Sequence, residues 1–403
     1  MNYLDYLPTD LDRATLLGRA EIPSGISSQV GGPSPVMVYG GQVYDLFPYA
    51  HTTSQLLNRC DFRKIIDYAR QTHPVCAVED IISNSVGARS TDQPLLLAPT
   101  DLQPIKACGV TFACSMIERV IEEQAGGNKA KAALIRTSIT EIIGTDLSAL
   151  QPGSVEAEQL KLVLIDQGVW SQYLEVGIGP YAEVFSKSQA MSAVGLGAEV
   201  GINSISEWNN PEPEIVLVVD SLGEILGVTL GNDVNLRDIE GRSALLLGKA
   251  KDNNASCALG PFIRLIDEHF TLEDVRNAKI ALEVKGKDGF TLTDGSQMSE
   301  MSRDIEDLVS QTFGAHHQYP DGFALMTGTM FAPIADRGAQ GSGFTHLLGD
   351  IVRISCPSLG CLENIVSTCD QVAPWTFGTG ALFENIVART AQAQKSAAAR
   401  HNV

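Results

Sequence analysis

Apolar positions fall into short β-like runs over most of the chain and into helical stripes over one stretch of it. Residues 36–46 hold two β-rich runs around Gly40-Gly41, the pattern of a hairpin. Residues 53–57 and 61–70 read as helices. The pattern changes at residues 115–168. Met116, Ile117, Val120 and Ile121 form an i, i+1, i+4, i+5 stripe, and Ser115 with Glu118 has capping-box spacing. Residues 129–143 and 156–165 give two further helical patterns. From about residue 173 strands dominate, with apolar runs at 215–219, 225–230, 279–284 and 350–354 bounded by Gly, Asp and Asn. These strands do not alternate regularly with helices, which argues against a doubly wound sheet and for a mixed β roll, sandwich or barrel-like domain. The expected class is α+β, mostly β. The expected division is a small β-rich N-terminal accessory domain at 1–105, a catalytic domain at 106–390 with a helical insertion at about 115–168, and a flexible tail at 391–403.

Composition narrows the partners. The 403 residues hold 29 Lys+Arg against 48 Asp+Glu, a net charge of −19. That charge repels nucleic acid and anionic membrane surfaces, leaving a small molecule as the expected partner. No basic leader with an apolar core is read at the start, and no apolar run has the length of a membrane span. The eight cysteines form no CxxC pair. Reduced thiols in a cytoplasmic protein are the expectation.

The candidate chemistry starts at Asn209-Asn210-Pro211-Glu212-Pro213-Glu214, next to the apolar run 215–219. Side chains alternate along a strand, so Glu212 and Glu214 share a face. Pro211 and Pro213 remove ladder donors and mark a strand entrance. Like charges side by side repel unless a cation sits between them. Gly231-Asn232-Asp233 follows the run 225–230 after a turn of hairpin length. Pairing about Leu222 sets 212 near 232 and 214 near 230, with Asp233 beside the two glutamates. Three carboxylates without His or Cys suit Mg²⁺, Mn²⁺ or Ca²⁺ better than zinc; the alternative is a solvated strand end. Lys251 lies in a polar loop at 248–256, where a desolvated lysine can act as a base. Thr327-Gly328-Thr329 stands at a strand end, where hydroxyls and a glycine backbone can hold a carboxylate. His316-His317 reads as structural. Val194–Gly201 has glycines out of register for a dinucleotide fingerprint and is read as a flexible loop.

These pieces together resemble the fumarylacetoacetate hydrolase superfamily. The resemblance runs from about residue 105 to 370. It rests on Glu212-Pro213-Glu214, on Asn232-Asp233-Val234-Asn235-Leu236-Arg237-Asp238, on Lys251 before Gly260-Pro261, on Thr327-Gly328-Thr329 and on Leu348-Gly349-Asp350-Ile351-Val352. It implies the family's mixed β roll. It also implies one divalent metal, usually Mg²⁺, on Glu212, Glu214 and Asp233. Arg237 and Lys251 would belong to the site, and Thr329 would hold the substrate carboxylate. Residues 109–119 depart from the hydrolases, which carry a His–Glu pair there. Gly109-Val110-Thr111-Phe112, Ser115 and Glu118-Arg119 look instead like the branch that dehydrates 2-keto-3-deoxy sugar acids.

The activity this branch implies is metal-dependent dehydration of a 2-keto-3-deoxypentonate to 2-oxoglutarate semialdehyde. Lys251 is expected to take the C3 proton or to stabilise the enolate. Glu118 either helps the C4 hydroxyl depart or only caps the helix with Ser115, itself a candidate substrate contact. The alternatives are a metal-dependent C–C hydrolase of acylpyruvates or related diketo acids, a decarboxylase or isomerase, and a binding protein. A homodimer or higher assembly is expected.

Overall fold

The computed structural model describes residues 2–134, 136, 150–168, 170–329, 333, 335–338 and 343–401. In chain order the strands are β1 (Leu16–Ile22), β2 (Gly32–Tyr39), β3 (Gln42–Asp45), β4 (Cys76–Ala77), β5 (Leu95–Leu96), β6 (Ile105–Gly109), β7 (Glu183–Ser188), β8 (Glu199–Ile202) and β9 (Asn209–Asn210). There follow β10 (Pro213–Val219), β11 (Ile225–Asp233), β12 (Asn235–Leu236), β13 (Cys257–Leu265), β14 (Lys279–Lys285), β15 (Thr291–Gln297), β16 (Phe323–Met326), β17 (Ile351–Cys356) and β18 (Gly360–Thr368). The larger sheet has the order β4-β3-β2-β1-β13-β11-β10-β16-β6-β7, with β5 beside β1. A five-stranded sheet has the order β15-β14-β17-β18-β8, and β9 and β12 form a short ribbon. The β2–β3 hairpin turns at Gly40 and Gly41, both at positive φ, as the sequence expects.

The run Ile215–Val219 is apolar at every position because both faces of the larger sheet are covered. Ile215, Leu217, Val228 and Leu230 pack against Leu282, Val284, Ile354 and Leu362 of the smaller sheet. Val216 faces the other way, onto Ala107, Cys257, Leu259 and Met326. Each such fully buried aliphatic side chain contributes about 1.5–3 kcal/mol.

The segment 1–105 contributes β1 to β5 to the same sheet, with Leu16 and Leu17 opposite Arg264 and Ile263 of β13. The helix Ala113–Ala125 packs on the helix Gln172–Ile178 through Met116, Val120, Ile121 and Leu174. Residues 129–134 are helical, and most of the remaining expected helix to 143 lies outside the described residues. Residues 391–401, expected as a flexible tail, continue the helix Thr379–His401. Among the described residues no helix is long and apolar enough to cross a membrane.

Candidate metal centre and active site

β10 and β11 form the hairpin expected at the acidic residues, with a one-residue difference in register. At the turn Val219 faces Ile225, but beyond it Val218 faces Gly227. The extra residue, Leu226, is a bulge on β11. From there outward Glu214 faces Gly231 and Pro213 faces Asn232, and the Asp233 amide donates to the Glu212 carbonyl at 3.0 Å. The expected pairing of 212 with 232 is therefore corrected to 212 with 233. Residues directly opposite share a face, so the unbulged register would have turned Asp233 away from the glutamates. With the bulge, one ligand atom from each of Glu212, Glu214 and Asp233 lies within 4.8 Å of the others, and all three residues are buried. Farther along, Asn210 faces Asn235. Asn210 Oδ1 and both amide atoms of Asn235 are buried without a hydrogen-bond partner.

Two lysines enter this centre. The helix Leu247–Lys251 ends on Lys251, whose Nζ donates to Asp233 Oδ2 at 3.0 Å and to Glu212 Oε2. Burial alone would lower its pKa, but the charges of Asp233, Glu212 and Glu240 outweigh that and hold it above the usual lysine value. The lowered pKa expected of a lysine base is not found in this arrangement. Lys187 comes from β7, fully buried, and pairs with Asp233 Oδ1 at 2.7 Å. Burial opposes ionisation of Asp233, and the two lysines prevail, keeping its carboxyl below the ordinary range. Among the described residues Glu214 makes no such ion pair. Its Oε2 accepts the Gly328 amide at 2.7 Å. Burial, then the negative charges of Asp233 and Glu212, push its carboxyl well above the usual value.

β7 places Glu183 and Phe185 on one face, and Lys187, the extra residue of a bulge between Ser186 and Ser188, turns to the same centre. The Phe185 ring lies 5.7 Å from Lys251 Nζ. Glu183 sits opposite Gly109, where a side chain would meet its Oε2 at 1.8 Å. Burial, then the carboxylate of Glu240, push the Glu183 carboxyl up to about 7. A group with that value exchanges protons readily near neutral pH.

The helix Ala113–Ala125 supplies the other wall. Arg119 donates to Glu122 at 2.6 Å and to Glu212, and lies 2.9 Å from Glu240. Arg237 reaches Glu122 at 2.6 Å, Glu118 at 3.0 Å and the Pro333 carbonyl at 3.3 Å, with its guanidinium 4.4 Å from the Trp208 ring. Glu118 is also paired with Arg136. The expected capping box is absent. The helix begins at Ala113, and Ser115 Oγ donates back to the Phe112 carbonyl at 2.9 Å. Thr329 is buried beyond Gly328. Gly328 lies at φ +99°, and Thr111 Oγ1 would be 2.1 Å from a Cβ there. His316 and His317 are exposed and away from the acids, His317 stacking on Tyr319.

The donor set fits a hard divalent cation. It is all oxygen, and among the described residues Glu214 has no ion-pair contact, only the more distant charge of Lys251 to offset it. The residues missed from sequence are Lys187, Glu183, Arg119, Glu122 and Glu240. Their only sequence signals are the alternation Glu183-Val184-Phe185-Ser186-Lys187 and the i, i+3 pair Arg119 and Glu122.

The family profile described as fumarylacetoacetate (FAA) hydrolase C-terminal matches residues 179–367. The chain is 33% identical over 196 residues to a protein of Haloferax volcanii named probable 2-keto-3-deoxyxylonate dehydratase, covering 49% of this chain and 64% of that one. It is 35% identical over 181 residues to 2-dehydro-3-deoxy-D-arabinonate dehydratase of Saccharolobus solfataricus, covering 45% and 57%. The matches thus span less than two thirds of either relative's length. Among solved structures, the apo form of 2-keto-3-deoxy-D-arabinonate dehydratase aligns at a TM-score of 0.58 and 20% identity, covering 88% of this chain and 99% of that one. The same enzyme complexed with magnesium and 2,5-dioxopentanoate aligns at 0.57, with the same identity and coverage. A fumarylacetoacetate hydrolase of Exiguobacterium antarcticum aligns at 0.51 and 15% identity, covering 88% and 99%. At these identities the likeness is one of fold, and the fold serves more than one reaction.

Proposed function

We propose that this chain, which carries a fumarylacetoacetate hydrolase C-terminal domain, dehydrates a 2-keto-3-deoxypentonate to 2-oxoglutarate semialdehyde. The buried centre of Glu212, Glu214, Asp233 and Lys251 carries this reading. The names of the two curated relatives support it, and 2,5-dioxopentanoate, bound in one structural neighbour, is the same semialdehyde. Glu212, Glu214 and Asp233 would hold Mg²⁺. Bound there, a divalent cation supplies electrostatic stabilisation to the oxygens of a 2-keto acid.

The remaining steps fall to the side chains. Lys251 is held as an ammonium, which favours stabilising the enolate over taking the C3 proton. Glu183 is the better proton carrier. As a carboxylate it takes the C3 proton, and as the resulting acid it delivers that proton to the departing C4 hydroxyl, which leaves as water. The elimination leaves 5-hydroxy-2-oxopent-3-enoate; loss of a C5 proton and protonation at C3 turn it into the C4–C5 enol, and transfer of the C5 hydroxyl proton to C4 gives the semialdehyde. Glu118 is clamped by Arg136 and Arg237, which favours positioning the 113–125 helix over proton transfer. Thr329 would receive the substrate carboxylate, and Ser115 and Arg237 would bound the far end of the substrate. A homodimer or higher assembly belongs to the same reading, and the exposed Val155, Leu162, Val163 and Ile165 of the helix Val155–Asp166 give it an apolar surface. Sedimentation velocity would measure the assembly.

The test uses protein stripped with EDTA and 2-keto-3-deoxypentonate epimers, with and without Mg²⁺, and follows semialdehyde through a coupling dehydrogenase. Metal-dependent semialdehyde is the expected outcome. Pyruvate from an acylpyruvate control, with no semialdehyde from either epimer, would establish the hydrolase instead.

A further inference from the structure

A second cavity, of about 740 Å³, lies between the N-terminal strands and the segment 193–198. That volume is in the range of small-molecule sites. No member of the acidic triad and neither buried lysine lines it. Leu97, Val194, Val372, Trp375 and Phe377 give it apolar walls, and two arginines, Arg19 and Arg89, also face it.

Among the described residues neither arginine is ion-paired with a carboxylate. Arg19 is 6% exposed. Its Nη1 donates to the carbonyls of Ala98 and Thr100 at 3.4 and 3.1 Å, and its Nη2 to Met191 Sδ at 3.4 Å. A guanidinium has five N–H donors, so the Nε hydrogen and one Nη2 hydrogen remain. Asp101, the nearest influential acid, already accepts the amides of Thr53, Ser54 and Leu102. Arg89 Nη1 donates to the carbonyls of Ser85 and Leu196 at 2.8 and 2.7 Å, leaving the Nε hydrogen and both Nη2 hydrogens. Burial disfavours the charge on both, and no carboxylate offsets it at Arg89. Two acids also line the wall: burial raises the Glu21 carboxyl while the charges of Arg19 and Arg389 lower it, and Glu199 is exposed at the mouth. In a chain with 48 acids and 29 bases, two bases facing one cavity with no carboxylate in ion-pair contact among the described residues are unusual.

We propose that this cavity binds an organic anion with a flat apolar body. The anionic group would take the free donors of Arg19 and Arg89, and the body would lie against Trp375 and Phe377.

The full-length protein loaded with Mg²⁺ is titrated with 1-anilinonaphthalene-8-sulfonate and, separately, with the uncharged N-phenyl-1-naphthylamine. The expected result is saturable one-to-one binding of the sulfonate with quenching of tryptophan emission. Binding should weaken about tenfold or more in Arg89→Met, the scale of a lost charge-assisted hydrogen bond, and by a similar factor for the uncharged dye. Trp375→Ala, at an exposed rim position, should remove the quenching and weaken binding; it serves even if Arg89→Met fails to fold. Glu214→Gln should leave sulfonate binding unchanged, which separates this cavity from the metal centre. Equal affinity for both dyes, or sulfonate binding unaffected by both cavity substitutions, would overturn the proposal.

Discussion

Glu214 and Lys251 differ in what their charge lacks. Among the described residues Glu214 has no ion-pair contact and, of the bases, feels only the charge of Lys251, so its carboxylate is the one a cation relieves most. Glu214→Gln should therefore lower Mg²⁺ affinity by about 100-fold or more by calorimetry, at least the effect seen for losing an outer-sphere partner. Lys251 already neutralises two of the three acids and competes with a cation for them. Lys251→Met should keep or tighten Mg²⁺ binding while turnover falls about 10²–10³-fold, the scale of one lost electrostatic stabiliser; near-normal turnover would remove Lys251 from the mechanism. Glu183 must be ionised to take the C3 proton. With its carboxyl near 7, activity should rise with pH through that value and be lost below it. Glu183→Gln should abolish turnover and that limb together, and a wild-type profile flat from pH 6 to 8 would argue against the assignment. Glu212, Glu214, Asp233 and Lys251 were legible from sequence because each sits beside a buried strand or in a short polar loop. Lys187, Arg119 and Glu183 were not. They reach the centre from a distant strand and a helix, and nothing local marks a lysine on β7 as a partner of Asp233.

At the scale of elements, the strands were readable and their alignment was not. Continuous apolar runs announce β10 and β11, but a single extra residue inside such a run leaves no mark in the pattern. The helix start was misplaced for a similar reason. Ser115 with Glu118 has capping spacing, but the first turn already begins at Ala113 and Glu118 is drawn to Arg237. A second element, the loop before β17, carries a pH response. Asp350 accepts two hydrogen bonds from Arg337, at 2.5 and 2.8 Å. Burial alone would raise its carboxyl, but Arg337 and His346 bring it to about 2. Its contribution to stability is present above the unfolded carboxyl value of 3.8 and is lost as pH falls toward 2. His346 is buried and its pKa is lowered, chiefly by that burial, so it costs stability as pH falls below 6.5, where the unfolded imidazole binds a proton that the folded one resists. Asp350→Asn should destabilise the fold by about 1.5–3 kcal/mol at pH 7, the scale of lost hydrogen bonds to a charged group, because Arg337 loses one of its acids and keeps Asp288 at 2.9 and 3.0 Å. In thermal melts from pH 7 to 3 the gap between variant and wild type should close toward the acid end.

At the scale of the whole molecule, the N-terminal segment is bound into the main sheet. β1 hydrogen-bonds to β13, and Leu16, Ile22, Val36 and Phe262 share one core cluster. A chain lacking residues 1–105 should lose its cooperative thermal transition and near-UV circular dichroism, although the acids all lie beyond residue 200. A truncated chain that melts cooperatively would show the segment to be a separate unit. The bulge at Leu226 has a consequence on this scale too. In its paired strands between Glu214 and Asp233 the hairpin works as a parity check. Losing or gaining one residue there turns the aspartate to the opposite side of the sheet, whereas changes in twos preserve the metal cage. Length changes inside the paired strands are thus confined to even steps, whereas the turn at Asp220–Glu224, on the surface and outside the ladder, can absorb an odd residue without turning Asp233 away.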